Sequence, residues 1–184
     1  MGGKFRGCGV GVRKKKQLGV GKMCAMTNRI FGSEQDVRRW AWGNLMGEKW
    51  WIENKSGGSF GFTDLVIAHD GVSGMIELKL GEWSTEKSGF GIKFSIRAAQ
   101  LGTLRALARE RVPSGVLVGI AGTDGAAFVR VDDIEVIERK TKGVRRTVRK
   151  VLPVAARRWV MVDAGSDILR IARADDIVAP TRKQ

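Results

Sequence analysis

The chain has no tyrosine, one histidine, two cysteines and three prolines in 184 residues. Each scarcity removes a class of chemistry. Cys8 and Cys24 cannot form a disulfide scaffold, and with His69 as the sole imidazole there is no ligand set at zinc spacing. A lone histidine with no supporting motif also argues against a serine or cysteine triad. No run approaches the roughly 18 apolar residues that a membrane helix needs, and the N-terminal residues lack the apolar centre of a secretory leader. A cytoplasmic, reduced protein with no membrane partner is expected, and its chemistry must run on carboxylates, lysine and metal.

What is present suffices for one core, since 43% of the residues are apolar and 28% charged, in the length of a single domain. Acids are outnumbered 19 to 33, giving a net charge of +14. Residues 1–28 hold Lys4, Arg6, Arg13, Lys14, Lys15, Lys16 and Lys22 with no acid. Residues 138–160 hold Arg139, Lys140, Lys142, Arg145, Arg146, Arg149, Lys150, Arg157 and Arg158 against Glu138. The rest is close to neutral. Two basic segments flanking a near-neutral domain suit a polyanion, and nucleic acid is the better reading than solvated charge or a membrane surface.

Residues 1–28 are Gly-rich, basic and aperiodic, and read as a flexible arm. Met23 and Met26 leave an alternative start open. Ser33, followed by Glu34, Gln35 and Asp36, predicts a helix start, with Val37, Ala41 and Leu45 recurring at helical spacing to about Met46. Glu34 falls on that same stripe. Strands are predicted over 49–53, 60–68 and 74–80, with a turn from His69 to Ser73. A helix is predicted from Ser95 to Arg111, then strands over 115–120 and 126–131 about a Gly122–Gly125 turn. Asp132–Ile134 reads as a short helix, and a final strand is expected at 159–162 or 168–172. The order gives an α/β fold with a central mixed sheet flanked by helices. The expected division is an arm (1–28), a core (29–137) and a basic extension (138–184) with a final strand and short helix.

Within 74–80 the strand period of two puts Glu77 and Lys79 on one face and Ile76, Leu78 and Leu80 on the other. Asp64 sits among Phe62, Leu65, Val66 and Ile67, where an unpaired carboxylate is costly to bury. A hairpin between these strands can bring Asp64 to Glu77. Neighbouring carboxylates repel unless they share a proton or a cation, so a divalent metal is economical, and an ion pair with Lys79 is the structural alternative. Gln100 projects onto the apolar stripe of its helix, and a buried amide there needs partners.

Glu34 on a helix, Asp64 on a strand, Glu77-Leu78-Lys79 thirteen residues later and Gln100 on the next helix resemble the PD-(D/E)XK nuclease superfamily. The pattern is similar to archaeal-type and RecU-type Holliday-junction resolvases and to virus-type replication-repair nucleases, over roughly residues 30–131. Thr63 stands where the motif's naming proline would be. The resemblance implies a restriction-endonuclease-like core and Mg²⁺, with Mn²⁺ as a substitute, held by Glu34, Asp64, Glu77 and the Leu78 carbonyl. It makes Asp64, Glu77, Lys79 and Gln100 the catalytic set. The implied activity is phosphodiester hydrolysis of DNA, on branched structures by preference.

A nicking or repair nuclease of the same fold and a non-catalytic basic DNA-binding protein are the alternatives. Lys87, Lys93, Arg97, Arg145, Arg146, Arg149 and Lys150 are the expected DNA contacts. The segment 81–94 reads as a loop, either one able to close over substrate or a plain surface loop. A homodimer stays open, since resolvases cut two strands symmetrically, but no segment reads as a dimer seam.

Overall fold

The computed structural model describes residues 30–52, 63–86, 89–137 and 151–174. Along the chain run α1 (Glu34–Asn44), β1 (Glu48–Trp51), β2 (Leu65–His69), β3 (Val72–Glu86), β4 (Gly89–Arg97), α2 (Ala98–Arg109), β5 (Ser114–Ile120), β6 (Ala126–Arg130), β7 (Ile134–Val136), β8 (Val151–Ala156), β9 (Val160–Val162) and α3 (Ile168–Arg173). One mixed sheet has the order β7-β8-β4-β3-β5-β6-β9, with β2 also on β3 and β1 on β2. Buried residues form two layers. One, with Val37, Ala41, Ile76, Leu78, Leu117 and Ile168, joins the sheet to α1 and α3. The other, with Ile96, Leu101, Leu104, Val116, Val118 and Val154, joins it to α2. The chain is therefore an α/β fold with a central mixed sheet flanked by helices. No helix of the described residues is long and apolar enough to cross a membrane.

The β2–β3 turn sets the register on which the site depends. Asp70 and Gly71 both have positive φ, at 49° and 74°, and His69 pairs with Val72 around them. That is the two-residue hairpin loop that Asp-Gly favours, because glycine takes the second left-handed position without strain and aspartate tolerates the first. The ladder then places Leu65 opposite Ile76, so Asp64 arrives beside Glu77. A slip of one residue would turn Asp64 to the other face.

Strand β3 is forked. Its residues 72–76 pair with β2 and 81–86 with β4 on one edge, while 75–81 pair in parallel with β5 on the other. Residues 77–80 thus have no strand neighbour on the forked edge among the described residues. Gly81 lies where β4 closes in: a Cβ there would stand 2.5 Å from Val118 Cγ1 and 2.7 Å from the Lys93 carbonyl oxygen.

Several expectations change. Residues 81–94 are not a free loop but mostly the β3–β4 hairpin, stiffened by Trp83 stacked on Phe90 at 4.9 Å with Trp159 5.7 Å from Trp83. Gly and Ser hid the alternation of Gly81, Trp83, Ile92 and Phe94. The second helix begins at Ala98 rather than Ser95, since Ser95 to Arg97 extend β4 and Ile96 packs from the sheet. Asp132–Ile134 is one 3₁₀ turn (Val131–Asp133) running into β7. Of the segment taken as a basic extension, 138–150 lies outside the described residues. Its next strand, β8, pairs with both β4 and β7, and β9 pairs with β6, so the sheet continues past residue 137. Pro153 inside β8 conceals that strand in the sequence. Residues 168–172 are helical, in α3.

Candidate active site

The fork in β3 is where the candidate residues meet. Glu77 and Lys79 leave β3 on the face covered by α2, as their strand phase requires, and both are buried. Gln100, in the first turn of α2, is buried with them. Its Oε1 accepts the Arg97 N–H at 3.1 Å, which closes the helix start. That bond fixes the orientation of the amide, leaving Nε2 to donate to Glu77 Oε1 at 2.6 Å. Lys79 Nζ lies 2.7 Å from the same oxygen and 3.7 Å from Glu34 Oε1. The Glu34 side chain is about half exposed, at 52%, and rims the site from α1 instead of entering it.

Asp64 approaches from the start of β2. Its Oδ2 accepts the backbone N–H of Leu78 at 3.1 Å, filling the gap where β3 has no strand partner. In a β-strand the N–H and C=O of one residue point to the same edge. The Leu78 carbonyl therefore faces the fork too. Asp64 Oδ1 accepts from Arg38 Nη2 on α1. Arg38 did not emerge from the sequence reading. Its signal was weak: it sits four residues after Glu34, on the neighbouring helical face, in a run that already holds Arg39.

Hydrogen bonding at Glu77 is one-sided. Its Oε2 is buried and receives no hydrogen bond among the described residues. The Asp64 carboxylate stands within hydrogen-bonding reach, but two carboxylates can bond only through a shared proton or cation. Burial raises the Glu77 pKa to about 8; Lys79 opposes that rise and Asp64 adds to it. The hydroxyl of Thr63, also buried, lacks a partner among the described residues and lines the same cleft.

The cleft has a volume of about 960 Å³. Glu34, Asp64, Lys79 and Gln100 line it together with Arg38, Arg97, Trp42 and Trp51. Glu34 also borders an adjoining recess that Lys93 lines from β4. Lys87, Arg145, Arg146, Arg149 and Lys150 lie outside the described residues. Arg157 and Arg158 of the second basic segment face acids of the chain itself, Glu135 at 3.3 Å and Asp133 at 3.6 Å.

The structure thus gathers Asp64, Glu77, Lys79 and Gln100 closely, with Glu34 joined through Lys79. Among the described residues no three acidic, histidine or cysteine side chains converge as a cation cluster. Asp64 and Glu77 are a pair, and Glu34 stands outside it. The donor chemistry nevertheless fits a hard cation: two carboxylates, one with an orphaned buried oxygen, and a main-chain carbonyl directed to the same gap.

No protein-family model matches the chain, and no curated protein sequence matches it either. Among solved structures the chain is similar to Hjc of Archaeoglobus fulgidus, a Holliday junction resolvase from an archaeal hyperthermophile. Identity is 16% and the TM-score 0.39, over 76% of this chain and 96% of that one.

Proposed function

We propose that the chain is a divalent-cation-dependent DNA endonuclease that hydrolyses phosphodiester bonds, acting on branched DNA in preference to continuous duplex. The observation that carries this reading is the Glu77 oxygen, buried beside Asp64 and receiving no hydrogen bond among the described residues. An ion pair with Lys79 and Gln100 uses one oxygen only and leaves the second, beside Asp64, needing a proton or a cation. Asp64, Glu77 and the Leu78 carbonyl would hold Mg²⁺ or Mn²⁺, with Glu34 at the rim of the same cleft. When bound there, the cation supplies Lewis-acid polarisation of the phosphate and a more acidic water.

The chain's own groups have separable tasks. Gln100 and Lys79 fix the Glu77 carboxylate, so that its free oxygen keeps one direction. At Asp64 both oxygens are engaged: the Leu78 N–H holds one, and Arg38 holds the other, where it competes with a cation. Lys79 Nζ can also donate to a phosphate oxygen or to the attacking water, where negative charge develops. Glu34 meets the buried Lys79 ammonium from the exposed side, at 3.7 Å. Arg97 and Lys93, with basic residues of segments 1–28 and 138–150, would neutralise phosphates along the strand.

The test is a cleavage panel of four-way junction, flap, duplex and single-stranded DNA with Mg²⁺, Mn²⁺ or EDTA. Cation-dependent cutting, strongest on branched substrates, is expected. Binding without cutting of any substrate would overturn the reading in favour of a basic DNA-binding protein whose acids serve only ion pairs. Equal cutting of duplex would leave a nicking or repair nuclease of the same site.

A further inference from the structure

Beside the carboxylate pair lies an aromatic surface that the chemistry just described does not use. Trp42 of α1 stacks on Trp51 of β1, with ring centroids 5.2 Å apart and planes at 21°. Arg38, one helical turn before Trp42, places its guanidinium 5.6 Å from the centre of the Trp51 ring while its Nη2 holds Asp64. The Ile52 N–H, next to Trp51, donates to the Asp64 carbonyl at 3.2 Å. Trp51 is therefore tied to Asp64 both through the main chain and through Arg38. Trp42 nevertheless stays 46% exposed, and both indoles line the same cleft as Asp64 and Lys79.

An indole left half-exposed inside a cleft lined by Arg38, Arg39, Arg97 and Lys79 offers a flat π-face among cations. From that pairing, resting on the nuclease reading above, we infer that Trp42 and Trp51 form a stacking subsite for an unpaired nucleobase beside the scissile phosphate. A base within a duplex has both faces covered by its neighbours and cannot lie on Trp42. A base at a junction, flap or single strand can, because every base carries a π-face and stacking is tolerant of sequence. The surrounding cations suit the phosphates on either side. The subsite thus selects for unpaired DNA at the step of binding, before any bond is cut.

The experiment measures affinity in a chain made unable to cut, Glu77→Gln, so that its outcome does not depend on cleavage. Binding of fluorescent oligo(dT) and of a hairpin duplex is followed by anisotropy without added metal. Trp42→Ala is expected to weaken oligo(dT) binding about tenfold, as loss of one stacking partner does, and to leave duplex binding within about twofold. Trp42→Leu keeps apolar bulk without a π-face and should behave like the alanine variant, whereas Trp42→Phe should recover most of the affinity. If the alanine variant melts early, the leucine and phenylalanine variants decide. Trp50→Ala, which removes an indole 52% exposed on the other face of β1, should change neither affinity. Equal losses on both DNAs, no loss on either, or equal behaviour of the leucine and phenylalanine variants would overturn the subsite. A selective loss in a chain whose native form cuts nothing would keep the subsite and remove the nuclease reading instead.

Discussion

Gln100 and Glu77 lie 23 residues apart in sequence, and the amide of one donates to the buried carboxylate of the other at 2.6 Å. The same amide closes the start of α2 through Arg97. Helix position and carboxylate orientation are thereby coupled. Replacing Gln100 with alanine leaves an acidic oxygen under-satisfied, at a cost of about 1–3 kcal/mol. The expected result is a lower melting temperature and a higher Mg²⁺ concentration for half-maximal cleavage. An unchanged metal titration would make Gln100 a helix cap alone.

The raised pKa of Glu77 has a signed consequence for stability. The unfolded chain releases this proton near the ordinary value of 4.5, and the folded chain near 8. Between those values the folded state binds more protons. The metal-free protein should therefore carry the full contribution below about pH 4.5, lose it progressively up to about pH 8 and change little beyond. Glu77→Gln imitates the protonated form and removes the slope. Melting in EDTA at pH 5 and pH 8.5 should show the variant gaining on the native chain by several degrees at the higher pH. Mg²⁺ should narrow that gap by stabilising only the native chain. Parallel melting curves across pH would contradict this.

Glu77→Gln and Asp64→Asn should abolish cleavage yet keep or tighten DNA binding, because each removes a cation ligand and a negative charge facing phosphate. Wild-type cleavage rates in both variants would remove these residues from the mechanism.

Lys79→Ala spares the carboxylates and removes the ammonium beside them. A fall in cleavage rate of about 10²-fold or more is expected, comparable with removing one transition-state donor. A change below about threefold with intact binding would make Lys79 an ion-pair partner only.

Arg38 competes with any cation for Asp64, so Arg38→Ala should lower the Mg²⁺ concentration needed for binding and lower the melting temperature without metal. Isothermal titration with Mg²⁺ and a melt in EDTA measure the two effects. Weaker cation binding would show instead that Arg38 is needed to orient Asp64.

The carboxylates, the lysine and the glutamine were legible because they break local patterns. Glu77 and Lys79 interrupt an apolar strand on a single face, Asp64 sits in an apolar run, and Gln100 lands on an apolar helical stripe. Polar groups at such positions demand partners, and strand period and turn residues suffice to propose which. The Asp70-Gly71 turn likewise states its geometry in two residues. Arg38, Trp42 and Trp51 break no pattern: an arginine and a tryptophan on an amphipathic helix are ordinary. Their meaning appears only when the fold stacks Trp51 of β1 on Trp42 and brings Asp64 to Arg38. The fork in β3 is equally silent in sequence, because it depends on where two other strands stop pairing. Sequence determined which side chains could not be left alone. Tertiary structure decided which oxygen of Glu77 has no partner among the described residues, since that depends on distances across chain segments that no local period encodes.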